Sequence, residues 1–579
     1  MNLNRRQLLG NGIKAGAGLV ALHQLGFGRR AFAATTVQRD APRYAAAYQR
    51  LDEFVVRHLS EVGAPGLTLS LVDRNGPLRS SQYGFADVKA GIKVAPQTLF
   101  EIGSISKSFV AIAVLQLAEE GRIDLQKPVT TYLPWLKFDS KFSPITTHHL
   151  LSHTSGLSGV PLLNRVVGTT LRVGFEPGTR WVYSNIGYAI LGFLIEAIDK
   201  KPFAESMRQR VLLPLGMNSS VPVISNDIRD RLAIGYGPLR PDRPFPVKGQ
   251  LVEAPWLEVS EAAGSIAATA DDMANYLYML LHRGAGPKAR VLSEKAFDLF
   301  TKPVIKSPFR GEDASYTYGL WVSDTNAHTL LRHTGGMVAF SSAMYADVTD
   351  GIAAFASVNA SRLPGGYRPI AVVRYALALL SAASQGKDLP AAPPPPPAPT
   401  SIKNAADYAG TFTLASTAGD RKLVLTSEGD QLTLHYAGSR IILEQAGPDT
   451  FFVTHPNFEL FFLSFGREKD VVVEAFHGKD WWTNERYAGP KKFDYPKEWD
   501  AYTGHFHSDS PWYGSVRNVI RKGELLVGGD QPMAAIEPHV FRPAGDPSDA
   551  DRLVFDTFAN GQALRMTYSG IEFFRAFTP

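Results

Sequence analysis

The chain has 579 residues, 45% of them hydrophobic and 20% charged, with a formal net charge of +5. That length exceeds what one hydrophobic core organises and points to about three or four domains, while the composition is globular rather than disordered. No cysteine occurs, which excludes disulfides, thiolate nucleophiles and thiolate metal sites.

Residues 1–34 read as an export leader. Arg5 and Arg6 in "NRRQLLG" form a twin-arginine arrangement, although Leu8 stands where phenylalanine is commoner. A stretch softened by glycine and alanine follows, and "AFA" at 31–33 supplies a small-residue cleavage site. The leader holds five basic residues (Arg5, Arg6, Lys14, Arg29 and Arg30) and no acidic ones. The rest of the chain is therefore neutral overall, and the positive balance gives no argument for nucleic-acid binding. The expectation is folded export through the twin-arginine route to the periplasm or beyond. No later run is long and apolar enough to span a bilayer.

Residues 41–385 mix strand and helix patterns. "GLTLSLVDRNG" (66–76) alternates and then turns, as a hairpin strand does. "SFVAIAVLQLAEEG" reads as a buried helix that stops at Gly121. Further helices are expected in "YAILGFLIEAIDK" (188–200) and "DDMANYLYMLLHRG" (271–284). A buried strand is expected in "GIAAFASVNAS" (351–361) and a closing helix in "RPIAVVRYALALLSAAS" (368–384). Strands at both ends with helices between them imply an α+β layer architecture.

The segment 386–403 contains "LPAAPPPPPAPT", a stiff extended spacer of about 3 Å per residue and the clearest domain boundary. Beyond it the texture is strand after strand, and it repeats. "DYAGTF" (407–412) returns as "AYTGHF" (501–506). Phe451 matches Phe541, and Arg486 with Tyr487 matches Arg575 with Phe577. Two antiparallel β-barrel units are expected, at 404–490 and 498–579.

The chemistry starts at "FEIGSISKSF". Ser104 and Lys107 lie one helical turn apart, so a hydroxyl and an amine face the same way. A lysine whose pKa is lowered by burial can take the proton of a serine, and free N–H groups at a helix start can hold an oxyanion. By itself an S-x-x-K spacing is a weak signal. It is joined by Tyr183 and Asn185 in "VYSNIGY", and by His333, Gly335 and Gly336 in "LRHTGGM". His148, His149 and His153 could suggest a metal site, but no H-E-x-x-H accompanies them, and no G-x-S-x-G elbow or phosphate-binding glycine loop occurs. Neither a metal nor a cofactor is expected.

The three motifs, in this order, resemble the serine β-lactamase and penicillin-binding-protein superfamily, in its class C-like branch. "GFADVKAGIKVAPQTLFEIGSISKSF", "TTHHLLSHTSGL", "AAGSIAATADDMANYL" and "YGLWV" extend the likeness over 41–385. The resemblance implies an antiparallel sheet flanked by helices with a helical subdomain, followed here by two small lipocalin-like barrels. It implies Ser104 as the acylated nucleophile, Lys107 as the base, and Tyr183 as second base or proton shuttle, its phenol pKa lowered by Lys107. Asn185 would orient Lys107 and the substrate amide. The N–H groups of Ser104 and Gly336 would form the oxyanion hole, and Gly335 and Gly336 would let a strand approach the substrate.

His333 departs from the β-lactamase pattern, which has lysine at that place. It resembles instead the D-aminopeptidase, D-peptidase and esterase-like members, and the D-aminopeptidase layout also carries C-terminal barrels. The expected activity is that of a serine hydrolase on peptide amides or small esters, including short peptides with D- or unusual residues. The alternatives are a DD-peptidase (penicillin-binding protein) or weak β-lactamase, and an inactive hydrolase fold whose barrels bind a ligand. The expected partner is a small-molecule or short-peptide substrate.

Overall fold

A computed structural model describes residues 35–576, apart from 40, 160–165, 241–242, 247–248, 310–312, 326, 362–367, 415–420, 492, 511, 513–516, 523–524 and 529–530. The expected leader and Phe577 lie outside the described residues. Among these, no helix is long and apolar enough to cross a membrane.

The elements that position the site are α1 (Ala45–Val62), β1 (Gly66–Asp73), β2 (Gly76–Asp87), α2 (Ser106–Glu119), α3 (Asn185–Asp199), α4 (Ala270–Leu281), β3 (Trp321–Thr325), β4 (His328–Gly336), β5 (Ser341–Asp347), β6 (Ile352–Val358) and α5 (Ile370–Ser384). The main sheet runs β2-β1-β6-β5-β4-β3 and is antiparallel throughout. Thr35–Gln38 is added at the β2 edge, and two short strands follow β3. Helices cover both faces: α1 and α5 pack on one, α4 on the other. Every residue of β1, β5 and β6 is therefore buried, including Thr68 and Ser70, which alternate with leucines along β1. The β1–β2 turn closes because the Asp73 carboxylate accepts from Asn75 N (2.8 Å) and Gly76 takes φ +118°.

The expected helix ends differ from the observed ones by a few residues. One difference matters. Ser104 sits not in the α-helix but in a tighter 3₁₀ turn (Gly103–Ile105) that feeds α2. Helix α2 is buried all round over Ser106–Leu115, so its apolar pattern has no polar face. Gly121, at φ +70°, follows its last residues.

Beyond residue 403 lie two antiparallel β-barrel units. Among the described residues the first has nine strands, and the strands at its two ends (Ser439–Ile442 and Glu444–Gly447) are joined through Leu443, so the sheet curls back almost to closure. The second is a closed barrel of eight strands. The repeat seen in the sequence has a physical basis. Gly410 and Gly504 both hold φ +146°, each after a buried tyrosine (Tyr408, Tyr502) and before a buried phenylalanine (Phe412, Phe506). Arg486 reaches back to the carbonyls of Asp407 and Ala409, and Arg575 does the same for Ala501 and Thr503.

The proline segment does not stand free. Arg50 of α1 donates to Leu389 O (2.8 Å), Arg57 to Pro393 O (3.1 Å) and Tyr375 OH of α5 to Pro390 O (3.2 Å), which lays the segment along the domain that contains α1 and α5. The second barrel also touches that domain through the loop around 546–551. Arg180 pairs with Asp546, Ser158 Oγ donates to Asp551, and the loop backbone packs on Gly174, where a Cβ would meet Ser548 O at 2.3 Å.

Candidate active site

Two local features bring the first and third motifs together. Gly103 takes φ +53°, and a Cβ there would sit 2.7 Å from Gly336 N. A Cβ on Gly335 would meet Ile102 O at 1.9 Å. Only glycine at these positions allows strand β4 to lie against the turn that carries Ser104, which sets Gly336 N beside that turn. Ser342 Oγ donates to Ile102 O (2.7 Å) and holds β5 to the same turn.

Lys107 is 0% exposed. Its Nζ lies 3.0 Å from Ser104 Oγ, 2.7 Å from Asn185 Oδ1 and 2.7 Å from Ala263 O. Burial holds its pKa well below that of a free lysine, against an opposing pull from Glu261. A neutral amine has two N–H donors and one lone pair. The amide oxygen of Asn185 and the carbonyl of Ala263 can only accept, so they take both donors. The lone pair is then left for the Ser104 hydroxyl, which is the geometry of a general base.

Tyr183 is the last residue but one before α3, whose N-cap is Ser184; the Ser184 Oγ accepts from Gly187 N at 3.2 Å. The Tyr183 phenol is hydrogen-bonded to Ser104, and its ring lies 4.9 Å from Lys107 Nζ. Its pKa is raised, chiefly by burial. The bond to Ser104 and the charge of Arg368 oppose the rise without cancelling it. The expectation of a phenol acidified by Lys107 is corrected: burial outweighs the groups that oppose it, and Lys107 is not one of those groups.

His333 is 1% exposed and closed within an aromatic wall, 4.8 Å from the Trp321 ring and 6.5 Å from that of Tyr183. Its Nδ1 lies 2.7 Å from Thr334 O and its Nε2 3.4 Å from Tyr316 OH. Burial, with help from Lys107, pushes its pKa down to about 3. The expected absence of a permanent charge fits this neutral ring. Protein atoms lie against both ring nitrogens.

The three histidines weighed for a metal do separate jobs. His148 Nδ1 lies 2.6 Å from Tyr318 OH, and His149 closes a capping box with Thr146. His153 Nδ1 accepts from Ser184 N at 3.1 Å, its carbonyl accepts from Val182 N, and its ring lies 4.3 Å from that of Tyr183. It clamps the segment that presents Tyr183. Sequence reasoning missed this role, as it missed Ala263 O and Arg368. Arg368, just before α5, donates from Nη1 to Ser341 Oγ at 3.2 Å. Its Nη2 would stand 2.2 Å from a Cβ on Gly336, so the absence of a side chain there lets the guanidinium lie across the strand.

Glu101, three residues before Ser104, is raised to about 8 by burial. A carboxyl whose folded pKa exceeds its unfolded value contributes stability below about pH 4.5, and loses it as pH rises through 8. At pH 9 Glu101→Gln should therefore be more stable than the wild type by at least about 1 kcal/mol. A thermal melt at pH 9 should show a gain of about 2–4 °C that vanishes at pH 4. An equal shift at both pH values would show that Glu101 does not titrate in this way.

With this geometry in view, the comparisons with known proteins are direct. The family described as "Beta-lactamase" matches residues 51–377, more than half of the chain. The chain belongs to that family, and with it to the serine hydrolases related to penicillin-binding proteins. Protein flp of Staphylococcus aureus (strain N315) is 29% identical over 203 residues, covering 32% of this chain and 41% of that protein. PbpX of Bacillus subtilis (strain 168), named as a penicillin-binding protein, is 26% identical over 286 residues, covering 46% and 65%. The chain thus spans less than two thirds of these relatives. The structure of the octameric penicillin-binding protein homologue from Pyrococcus abyssi shares the fold, with a TM-score of 0.52, 23% identity, and coverage of 75% of this chain and 99% of that one.

Proposed function

We propose that the protein hydrolyses peptide amides or small esters through an acyl-enzyme on Ser104, with short peptides, including those with D- or unusual residues, as the leading substrate class. The observation that carries this reading is the buried amine of Lys107, which two obligate acceptors orient towards Ser104 Oγ at 3.0 Å. In the first step Ser104 Oγ attacks the carbonyl carbon while Lys107 Nζ takes the hydroxyl proton. The carbonyl oxygen becomes an oxyanion held by the N–H groups of Ser104 and Gly336. Tyr183, kept protonated by burial, passes its proton to the departing amine or alkoxide and recovers one from Lys107. Water then repeats the sequence on the acyl-serine and releases the acid.

A fluorophosphonate probe followed by peptide mapping tests the nucleophile, with label expected on Ser104. A panel of p-nitrophenyl esters, D- and L-aminoacyl p-nitroanilides and a chromogenic cephalosporin tests the class. Faster turnover of the cephalosporin than of every ester and anilide would overturn the peptidase or esterase reading in favour of a β-lactamase. An unlabelled Ser104 with no turnover would favour the inactive fold.

Arg368 keeps the DD-peptidase or weak β-lactamase reading in view, because its permanent cation lies across Gly336 while His333 supplies none. A charge-assisted hydrogen bond contributes about 1.5–3 kcal/mol, or roughly tenfold or more in affinity. Arg368→Ala should thus lower the ratio of kcat/KM for carboxylate-bearing over neutral substrates by about tenfold. An unchanged ratio would remove the ground for this second reading.

A further inference from the structure

Tyr183 holds the proton that the proposed reaction delivers, yet residues 181–184 up to the start of α3 belong to no helix or strand. No ladder of backbone hydrogen bonds fixes where the phenol stands. His153 takes that place. Its carbonyl accepts from Val182 N (2.9 Å) and its Nδ1 accepts from Ser184 N (3.1 Å), so the N–H groups on either side of Tyr183 end on one residue. Between these two bonds the imidazole lies 4.3 Å from the Tyr183 ring. Farther along the His153 loop, Gly159 lets the chain pass close to Tyr183 O, where a Cβ would stand at 3.1 Å.

Two features show that this residue is held for more than packing. Its backbone takes φ +58°, in the left-handed region that residues with a Cβ seldom enter. Its side chain is 1% exposed, and because Nδ1 accepts, the ring proton sits on Nε2. That nitrogen is buried and has no hydrogen-bond partner among the described residues, which costs stability. Burial, with help from Lys107 and His333, holds the ring well below the usual histidine range, so Nδ1 stays an acceptor. Backbone strain of this kind collects where geometry serves chemistry.

The chemistry that needs this placement is selective. With an amide or an alkyl ester, the C–N or C–O bond of the tetrahedral intermediate breaks and its electron pair passes to the leaving atom, which takes the Tyr183 proton. Tyr183 regains a proton from Lys107, which received it from Ser104. A p-nitrophenolate leaves with the same electron pair and needs no proton. We infer that His153 is the positioning residue for Tyr183: by accepting from Ser184 N it holds the phenol where the leaving atom is protonated, and it thereby sets how well the site cleaves amides relative to activated esters. The inference rests on the Ser104 acyl-enzyme reading.

The test compares full-length wild type, His153→Gly and His153→Asn on three substrates with one acyl group: the p-nitrophenyl ester, the ethyl ester and the p-nitroanilide. All three form the same acyl-enzyme, so deacylation cancels from the ratios of kcat/KM, and a ratio taken within one variant is independent of its folded fraction. Glycine adopts the left-handed φ freely but offers no acceptor. Asparagine tolerates that φ, and its Oδ1 can accept in place of Nδ1. His153→Gly should lower kcat/KM for the anilide and the ethyl ester relative to the p-nitrophenyl ester by at least about tenfold, and His153→Asn should recover most of that loss. If the glycine variant does not fold, His153→Phe, which keeps a ring and drops the acceptor, reads the same ratios. Unchanged ratios in the variant without the acceptor, or an asparagine variant no better than it, would overturn the inference. A wild type that neither labels with a fluorophosphonate nor turns over any of the three sinks the acyl-enzyme reading instead, and crystal structures then decide for His153. A Tyr183 phenol displaced from Ser104 in the variant without the acceptor, and restored in His153→Asn, supports the positioning role; an unmoved phenol overturns it.

Discussion

Ser104→Ala should lose fluorophosphonate labelling altogether and at least about 10⁴-fold in kcat/KM on any substrate the wild type turns over. The change removes one oxygen and leaves Lys107 with Asn185 and Ala263, so the stability cost should stay near about 0.5 kcal/mol. The proposed oxyanion donors are backbone groups, Ser104 N in the turn and Gly336 N on β4, held together by Gly103 and Gly335, and they survive the substitution. Residual binding with no burst of covalent product is therefore the expected pattern. A variant that keeps a tenth of wild-type activity with an unchanged melting profile would place the nucleophile elsewhere.

The second large effect concerns the pair behind the serine. Lys107→Ala and Tyr183→Phe should each lower kcat by about 10²–10⁴-fold, the range that general acid–base groups contribute. The double variant should be little worse than the poorer single one, because the proton path needs both groups. Lys107→Ala should also cost stability, since it strands two buried acceptors, Asn185 Oδ1 and Ala263 O. Tyr183→Phe strands none of that set. Strictly additive rate losses would show that the two residues act in separate steps.

Much of this was legible in the sequence because the relevant signals are local. The S-x-x-K spacing survives a change from α-helix to 3₁₀ turn, since both place residues three apart on one side. The barrel repeat was legible because the same glycine geometry and the same back-reaching arginine recur at equivalent places. What escaped depends on contacts across long stretches of chain. Ala263 O reaches Lys107 over 156 residues, and a carbonyl leaves no mark on the residue type. The lowered pKa of Lys107, the raised pKa of the Tyr183 phenol and the enclosed His333 follow from burial, which a motif does not encode. A lysine at position 333 would thus enter a closed aromatic wall.

The docked proline segment sets a distance as well as a boundary. With Arg50, Arg57 and Tyr375 holding it to α1 and α5, the free tether between the catalytic domain and the barrels is shorter than its residue count suggests. A short tether raises the local concentration at which the 546–551 loop meets its docking face, to the millimolar range typical of brief linkers. Contacts as weak as an exposed Arg180–Asp546 pair, worth about 0.2–1 kcal/mol in isolation, then suffice to keep the barrel beside the catalytic domain. Salt weakens that pair first, because both partners reach solvent.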